Sequence, residues 1–252
     1  MSSQISGFEN LPIAVWRDTA LAHGHNFSTA QMKGVIFDWD GVVIDSSAQH
    51  ERSWEILAQE ISKPLPEGHF KLGFGKKNQV IIPGILQWAS DAEEVQQLAD
   101  RKEEIYRELV KQSGVHILPG ARELLAALRE EGVPAAVGSS TPRGNLNAIF
   151  AATGLDEYFQ AVVCGDDVTN GKPAPDVFLL AAEKLGLSAG DCIVIEDAHA
   201  GIEAALRAGM RVLAVATTNP LADLRMATDA VESLAGVTPA RLAEVFKLVQ
   251  SS

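Results

Sequence analysis

Cysteine, aromatic side chains and positive charge are all scarce in this chain. Of its 252 residues only two are cysteines, two are tyrosines and 6% are aromatic. Cys164 and Cys192 cannot supply a disulfide framework or a cysteine-rich metal centre, and both sit at the ends of apolar runs where small buried side chains are ordinary. Against 33 aspartates and glutamates stand 21 lysines and arginines, a formal charge of −12. Nucleic acids and anionic membrane surfaces are held by basic patches, so neither is an expected partner. No apolar run approaches the ~20 residues a membrane-spanning helix needs. The first thirty residues hold one basic residue, Arg17, and no long apolar stretch. No secretory or transit signal is evident there, and a cytoplasmic location is the expectation.

What is present is an ordinary globular composition, 46% hydrophobic and 21% charged, long enough to bury a sizeable core. The acidic excess disfavours an anionic substrate. A phosphate-binding site would therefore have to bring its own positive charge, from a metal ion or from particular lysines. The stretch Val35-Ile36-Phe37-Asp38-Trp39-Asp40-Gly41 shows where such a site begins. A β-branched and aromatic run reads as a buried strand, and residues two apart on it share a side, so Asp38 and Asp40 converge beyond its end. Gly41 permits the sharp exit. Two close carboxylates repel unless a cation or a shared proton joins them.

Three segments follow from the texture of the chain. Residues 1–31 have weak periodicity and read as an appended arm with a short helix around 13–22; His23 and His25 lack partner ligands and suit a solvated loop. Residues 47–117 are nearly all helical in pattern, with helices at 48–60, about 78–88 and 91–111 and no clear strand. From residue 119 helices and strands alternate, with strands at 134–138, 161–164, 192–195 and 212–216 and helices at 121–131, 143–153, 176–186 and 199–208. Alternation of this kind predicts an α/β fold, a Rossmann-like parallel sheet with helices on both faces. The opening strand belongs to that sheet, so 32–46 and 118–252 form the core and 47–117 an inserted all-helical block.

In an open parallel sheet ligands gather beyond the carboxyl ends of the strands. The first strand ends in Asp38 and Asp40. The second ends in Ser139-Ser140-Thr141, hydroxyls and free N–H groups ahead of a helix that starts after Pro142. The third leads to Gly171-Lys172-Pro173-Ala174-Pro175-Asp176, where prolines stiffen the loop that carries Lys172. The fourth ends in Glu196-Asp197, a second carboxylate pair at the same edge, and oxygen donors of this kind suit Mg²⁺. Nucleophile, anion cradle, cation and metal ligands together are the parts of a phosphoryl-transfer site.

With these four motifs in this order, over about residues 33–235, the chain resembles the haloacid dehalogenase superfamily, in particular its branch of β-phosphoglucomutase and small-molecule phosphatases. The resemblance implies Asp38 as nucleophile and metal ligand, and Asp40 as acid–base whose backbone carbonyl also holds Mg²⁺. It implies Ser139 and Lys172 as phosphoryl-binding groups, Asp197 as a further ligand, and Glu196 acting on the metal through water or on the lysine. Ser140 and Thr141 join the anion cradle. The helical insert then resembles the family's mobile cap, with His50, Lys76, Lys77 and Lys102 as candidate substrate contacts. Lys76-Lys77 stand where the mutase has an arginine, and a lysine lacks the arginine's two-pronged geometry. The implied activity is an Mg²⁺-dependent phosphatase of a small phosphorylated metabolite acting through an aspartyl-phosphate. A sugar phosphomutase is the alternative, and a non-catalytic binder of phosphorylated ligands a third reading. The expected assembly is a monomer or weak dimer.

Overall fold

The computed structural model describes residues 32–73 and 76–248. The arm at 1–31, with its expected helix and with His23 and His25, lies outside the described residues.

Six parallel strands make the main sheet, in the order β5-β4-β1-β6-β7-β8. They are β1 (Gly34–Phe37), β4 (Ala135–Gly138), β5 (Ala161–Val163), β6 (Cys192–Glu196), β7 (Arg211–Val215) and β8 (Asp229–Val231). β1 lies between β4 and β6, with Val35 opposite Ala135 on one side and Ile193 on the other. The residues that follow β1 therefore emerge at the middle of the sheet's carboxyl edge, beside the ends of β4 and β6.

The alternation of side chains along the strands divides the core into two layers. Val35 and Phe37, Ala135 and Val137, Ile193 and Ile195, and Leu213 and Val215 face one layer. Ile36, Ala136, Cys192 and Val194, and Val212 and Ala214 face the other. The first layer is closed by α5 (Ala121–Glu130), α6 (Arg143–Thr153) and α9 (Pro239–Lys247), the second by α7 (Asp176–Lys184) and α8 (His199–Arg207). Strands buried on both faces read as continuous apolar runs, which is why they were visible in the sequence.

Between Asp45 and His116 the described chain is helical: α1 (Ser47–Glu60), α2 (His69–Gly73), α3 (Asn78–Val80) and α4 (Ala92–Ser113). This block has its own apolar cluster, built from Trp54, Leu57, Ile82, Leu86, Trp88, Val95 and Ile105 among others. The Asp91 carboxylate caps α4 by accepting from the N–H groups of Glu93 and Glu94 at 3.0 and 3.1 Å. The expected helix over 78–88 is not uniform. After α3 the chain widens into a π-helical turn, Ile81–Leu86, closed by a left-handed Gln87. Pro83 removes a backbone donor from this turn and Gly84 adds freedom, so the regular α ladder is not kept.

The block is not wholly free of strand. β2 (Ile44–Asp45) pairs antiparallel with β3 (His116–Ile117), so the chain leaves and re-enters the core on one two-stranded ribbon. Two-residue strands carry too little pattern to be seen in a sequence. β8 and α9 were likewise not expected, although Thr238, Pro239 and the apolar positions 242, 245 and 246 form a regular cap and helix face.

Candidate active site

Beyond the carboxyl ends of β1 and β6, the structure gathers three carboxylates. Asp38, Glu196 and Asp197 are buried, and each offers an oxygen within 4.8 Å of the others. Two residues next to them are glycine for local reasons. Gly41 leaves β1 at φ +83°, and a Cβ there would lie 1.9 Å from Asp197 Oδ2. A Cβ at Gly201 would lie 1.5 Å from Glu196 Oε1. Neither carboxylate could keep its place beside a larger residue.

Lys172 answers this charge. Its ammonium donates to Asp38 Oδ1 at 2.7 Å and to Glu196 Oε1 at 2.8 Å, over the ring of Phe178. Burial opposes the charge on Lys172, but Asp38 and Glu196 together raise its pKa. The other oxygen of Glu196 accepts from the backbone N–H groups of Asp197 and Ala198, both at 2.6 Å. Glu196 is thus fully engaged in fixing the lysine and the turn after β6. Asp197 is held from β7's far end, where the Thr218 hydroxyl donates to its carboxylate and Asn219 donates to its backbone carbonyl at 3.0 Å.

One ammonium does not balance three buried carboxylates. Burial, with Glu196 and Asp40 adding to it, raises the Asp38 pKa to about 7 although Lys172 pulls it down. Burial and the two neighbouring carboxylates push Asp197 well above its ordinary value. Hard oxygen donors that resist ionising in each other's company are a donor set that Mg²⁺ fits, and Asp38 and Asp197 are the two whose oxygens are least committed elsewhere.

Asp40 faces a different set of groups. Its carboxylate accepts from the hydroxyls of Ser46 and Thr141, one oxygen each. Ser139 is buried, and its hydroxyl accepts from the Thr141 N–H at 3.0 Å, while Ser140 approaches Gly165 through its carbonyl. Thr141 therefore orients Asp40, a role its position in a serine-rich turn did not suggest.

From the helical block His50 reaches within 3.9 Å of Asp40, its Nε2 towards Oδ1. Its Nδ1 lies 2.7 Å from Lys102 Nζ, and its ring stacks on Tyr106 with centroids 4.1 Å apart. Burial, and then Lys102, lower the His50 pKa to about 4, so it is neutral near pH 7. Lys102 also donates to Glu103 at 3.0 Å. Lys76 and Lys77 are exposed, but Lys77 extends over Gly171, its Cε 3.1 Å from where a Cβ would stand. Of the expected residues, Asp38, Lys172, Glu196 and Asp197 form one cluster, Asp40, Thr141, His50 and Lys102 a second, and Lys76 belongs to neither. Ser46, Glu103, Asn145, Thr218 and Asn219 were not read from the sequence, because each is an ordinary polar residue until the fold places it.

Comparison with known proteins identifies the family. A family model described as a haloacid dehalogenase-like hydrolase matches residues 32–209. The chain is 35% identical over 204 residues to the chloroplastic 5-amino-6-(5-phospho-D-ribitylamino)uracil phosphatase of Arabidopsis thaliana, covering 80% of this chain and 54% of that protein. The chain thus spans about half the length of that relative. It is 35% identical over 197 residues to the β-phosphoglucomutase of Bacillus subtilis, covering 75% of this chain and 86% of that enzyme. A solved structure of a haloacid dehalogenase hydrolase, family IA, variant 3, from Entamoeba histolytica superposes with a TM-score of 0.79 at 31% identity, covering 86% of this chain and 100% of that one.

Proposed function

Because the chain belongs to the haloacid dehalogenase-like hydrolase family, we propose that it hydrolyses the phosphate ester of a small metabolite through a phosphorylated Asp38. The observation that carries this reading is the contact of Lys172 with both Asp38 and Glu196. It places a fixed positive charge beside a carboxylate, where an incoming phosphoryl group would otherwise be repelled by a chain of charge −12.

Asp38 Oδ attacks phosphorus and the ester oxygen leaves, which divides one difficult displacement into two easier ones. Lys172 and the Ser139–Thr141 turn hold the equatorial oxygens. Asp40, turned by Ser46 and Thr141, gives a proton to the departing oxygen and then takes one from the water that opens the aspartyl-phosphate. Asp38, Asp197 and the Asp40 carbonyl would hold Mg²⁺, with Glu196 fixing Lys172 beside them. When bound, the ion offsets the charge of Asp38 and of the phosphoryl oxygens. The helical block, joined to the core by the β2–β3 ribbon, acts as a cap that excludes water and contacts the remainder of the substrate.

A sugar phosphomutase is the second reading, and Lys77 lying over Gly171 is the feature that favours it, since it brings a second cation to the loop of Lys172. Phosphorus NMR of the protein with Mg²⁺ and a panel of phosphorylated sugars and nucleotides separates the two, with a trace of bisphosphate activator for the hexose 1-phosphates. Growth of free phosphate from one ester, abolished by Asp38→Asn, is the expected result. Movement of signal from hexose 1-phosphate to 6-phosphate with little free phosphate would establish the mutase. Retention of full turnover by Asp38→Asn would rule out the aspartyl-phosphate in either case.

A further inference from the structure

A second chain of buried polar groups links core to helical block and returns to the core. Asn145, in the first turn of α6, is fully buried. Its side-chain amide donates to Glu103 Oε2, and its side-chain carbonyl accepts from Arg107 Nη1 at 3.2 Å. Glu103 and Arg107 stand four residues apart on α4 and so share one helix face, where they offer one acceptor and one donor to a single amide. This two-point match leaves the amide one orientation, and it exists only while α4 lies against α6.

The other oxygen of Glu103 accepts from Asn78 at 2.6 Å and from Lys102 at 3.0 Å. Lys102 and Glu103 are 2% and 8% exposed, and charges this deep persist because they are paired. An ammonium only donates, so His50 Nδ1 accepts from Lys102 and the imidazole proton sits on Nε2, the nitrogen that faces Asp40. The hydrogen-bonded path runs from the core at Asn145 through Glu103 and Lys102 to His50 of the block, whose Nε2 stands 3.9 Å from Asp40 Oδ1 in the core.

We propose that Asn145 and Glu103 are positioning residues: docking of α4 on the Asn145 amide fixes Glu103, which fixes Lys102 and His50, and so sets Asp40 for proton transfer to the leaving group when the cap is closed. Neither residue touches the nucleophile cluster. The inference rests on the acid role given to Asp40 above, and it ties proton transfer to the position of α4 on α6. A cap displaced from α6 would break both amide contacts at once and leave the Lys102–His50 pair without its anchor.

The test compares two substrates of nearly equal shape, 4-nitrophenyl phosphate and phenyl phosphate, with Mg²⁺. The first leaving group departs readily as an anion, and the second needs a proton. The parameter kcat/KM reads the steps up to departure. Asp40→Asn, the reference for the acid, should lose at least tenfold more on phenyl phosphate than on 4-nitrophenyl phosphate. Asn145→Ala and Glu103→Gln should show the same selective loss, by about tenfold. The double variant Asn145→Asp with Glu103→Gln reverses the donor and acceptor, and keeps an acceptor for Lys102 and Asn78. It should recover most of the phenyl phosphate activity, which a mere packing role would not predict. Equal losses on the two esters, no loss at all, or no recovery in the double variant would overturn the inference while leaving the acid role in place. Absence of selectivity in Asp40→Asn itself would instead overturn the acid role and this inference with it.

Discussion

At the scale of single residues the charge around Asp38 is the controlling quantity. Three buried carboxylates share one ammonium, and Asp38 and Asp197 both resist ionisation there. Any ion that binds the folded state and not the unfolded one stabilises it by mass action. Mg²⁺ at about a hundredfold excess over its dissociation constant should therefore add roughly 3 kcal/mol and raise Tm by about 5–10 °C. Asp197→Asn should raise Tm of the metal-free protein, by relieving the repulsion, and should lose the Mg²⁺-dependent increase. Calorimetry with and without a chelator reads both effects, and a Tm indifferent to Mg²⁺ would remove the metal site from the account. Gly41→Ala gives a second expectation at this scale. A side chain at φ +83° costs about 1 kcal/mol or more, and its Cβ would displace Asp197, so stability falls modestly and the Mg²⁺ response is lost. Asp38, Asp40 and Asp197 could be singled out in the sequence because each is a charged residue at or just past the end of an apolar strand, and Lys172 because prolines stiffen the loop that carries it. Thr218 and Asn219 were not, since they lie 21 and 22 residues beyond Asp197 and become its partners only when β7 pairs with β6.

At the scale of elements the docking of α4 on α6 decides how the block sits on the core. The Glu103 pKa is held at about 2: burial pushes it up, but Lys102, His50 and the amides of Asn145 and Asn78 outweigh burial. A carboxylate whose folded pKa lies below its ordinary 4.5 stabilises the protein above pH 4.5 and gives that stability up as pH falls towards 2. The difference corresponds to roughly 3 kcal/mol. Urea denaturation should thus show stability declining between about pH 4.5 and 2, and Glu103→Gln should flatten that part of the curve while lowering stability at pH 7. A variant curve parallel to the wild type would mean that Glu103 does not anchor the helix. The elements themselves were readable where the pattern was long. The helix at 143–153 was placed without error, and the strands at 134–138 and 192–195 to within one residue at either end. The π-turn at 81–86 and the β2–β3 ribbon were not readable. The first departs from helix geometry without leaving helical composition, and the second has two residues on each strand.

At the scale of the whole molecule, the apolar clusters show how separable the two parts are. Among the described residues, the cluster of the helical block is built from buried side chains between Trp54 and Ile105, with Leu109 packed against it, whereas both layers against the sheet draw on the core, with Tyr106 and Val110 of α4 as the block's buried contributions. The ends of the block are already adjacent, because Asp45 pairs with His116. Replacing residues 47–114 by Asn-Gly, a turn suited to a two-stranded hairpin, would close the ribbon without moving the sheet. The shortened chain should fold. Loss of Tyr106 and Val110 from the core layer should cost it about 3–6 kcal/mol, taking the usual value for two buried apolar side chains. It keeps Asp38, Asp40, Lys172, Glu196 and Asp197 but loses His50, Lys102 and the exclusion of water. Binding of Mg²⁺, read by its effect on Tm, should survive, while kcat/KM for the preferred ester should fall by at least a hundredfold and approach the value for other esters. Circular dichroism, calorimetry and phosphate release over the same ester panel test this. If the shortened chain still prefers one ester strongly, selectivity belongs to the sheet edge, and the helical block acts only as a cover.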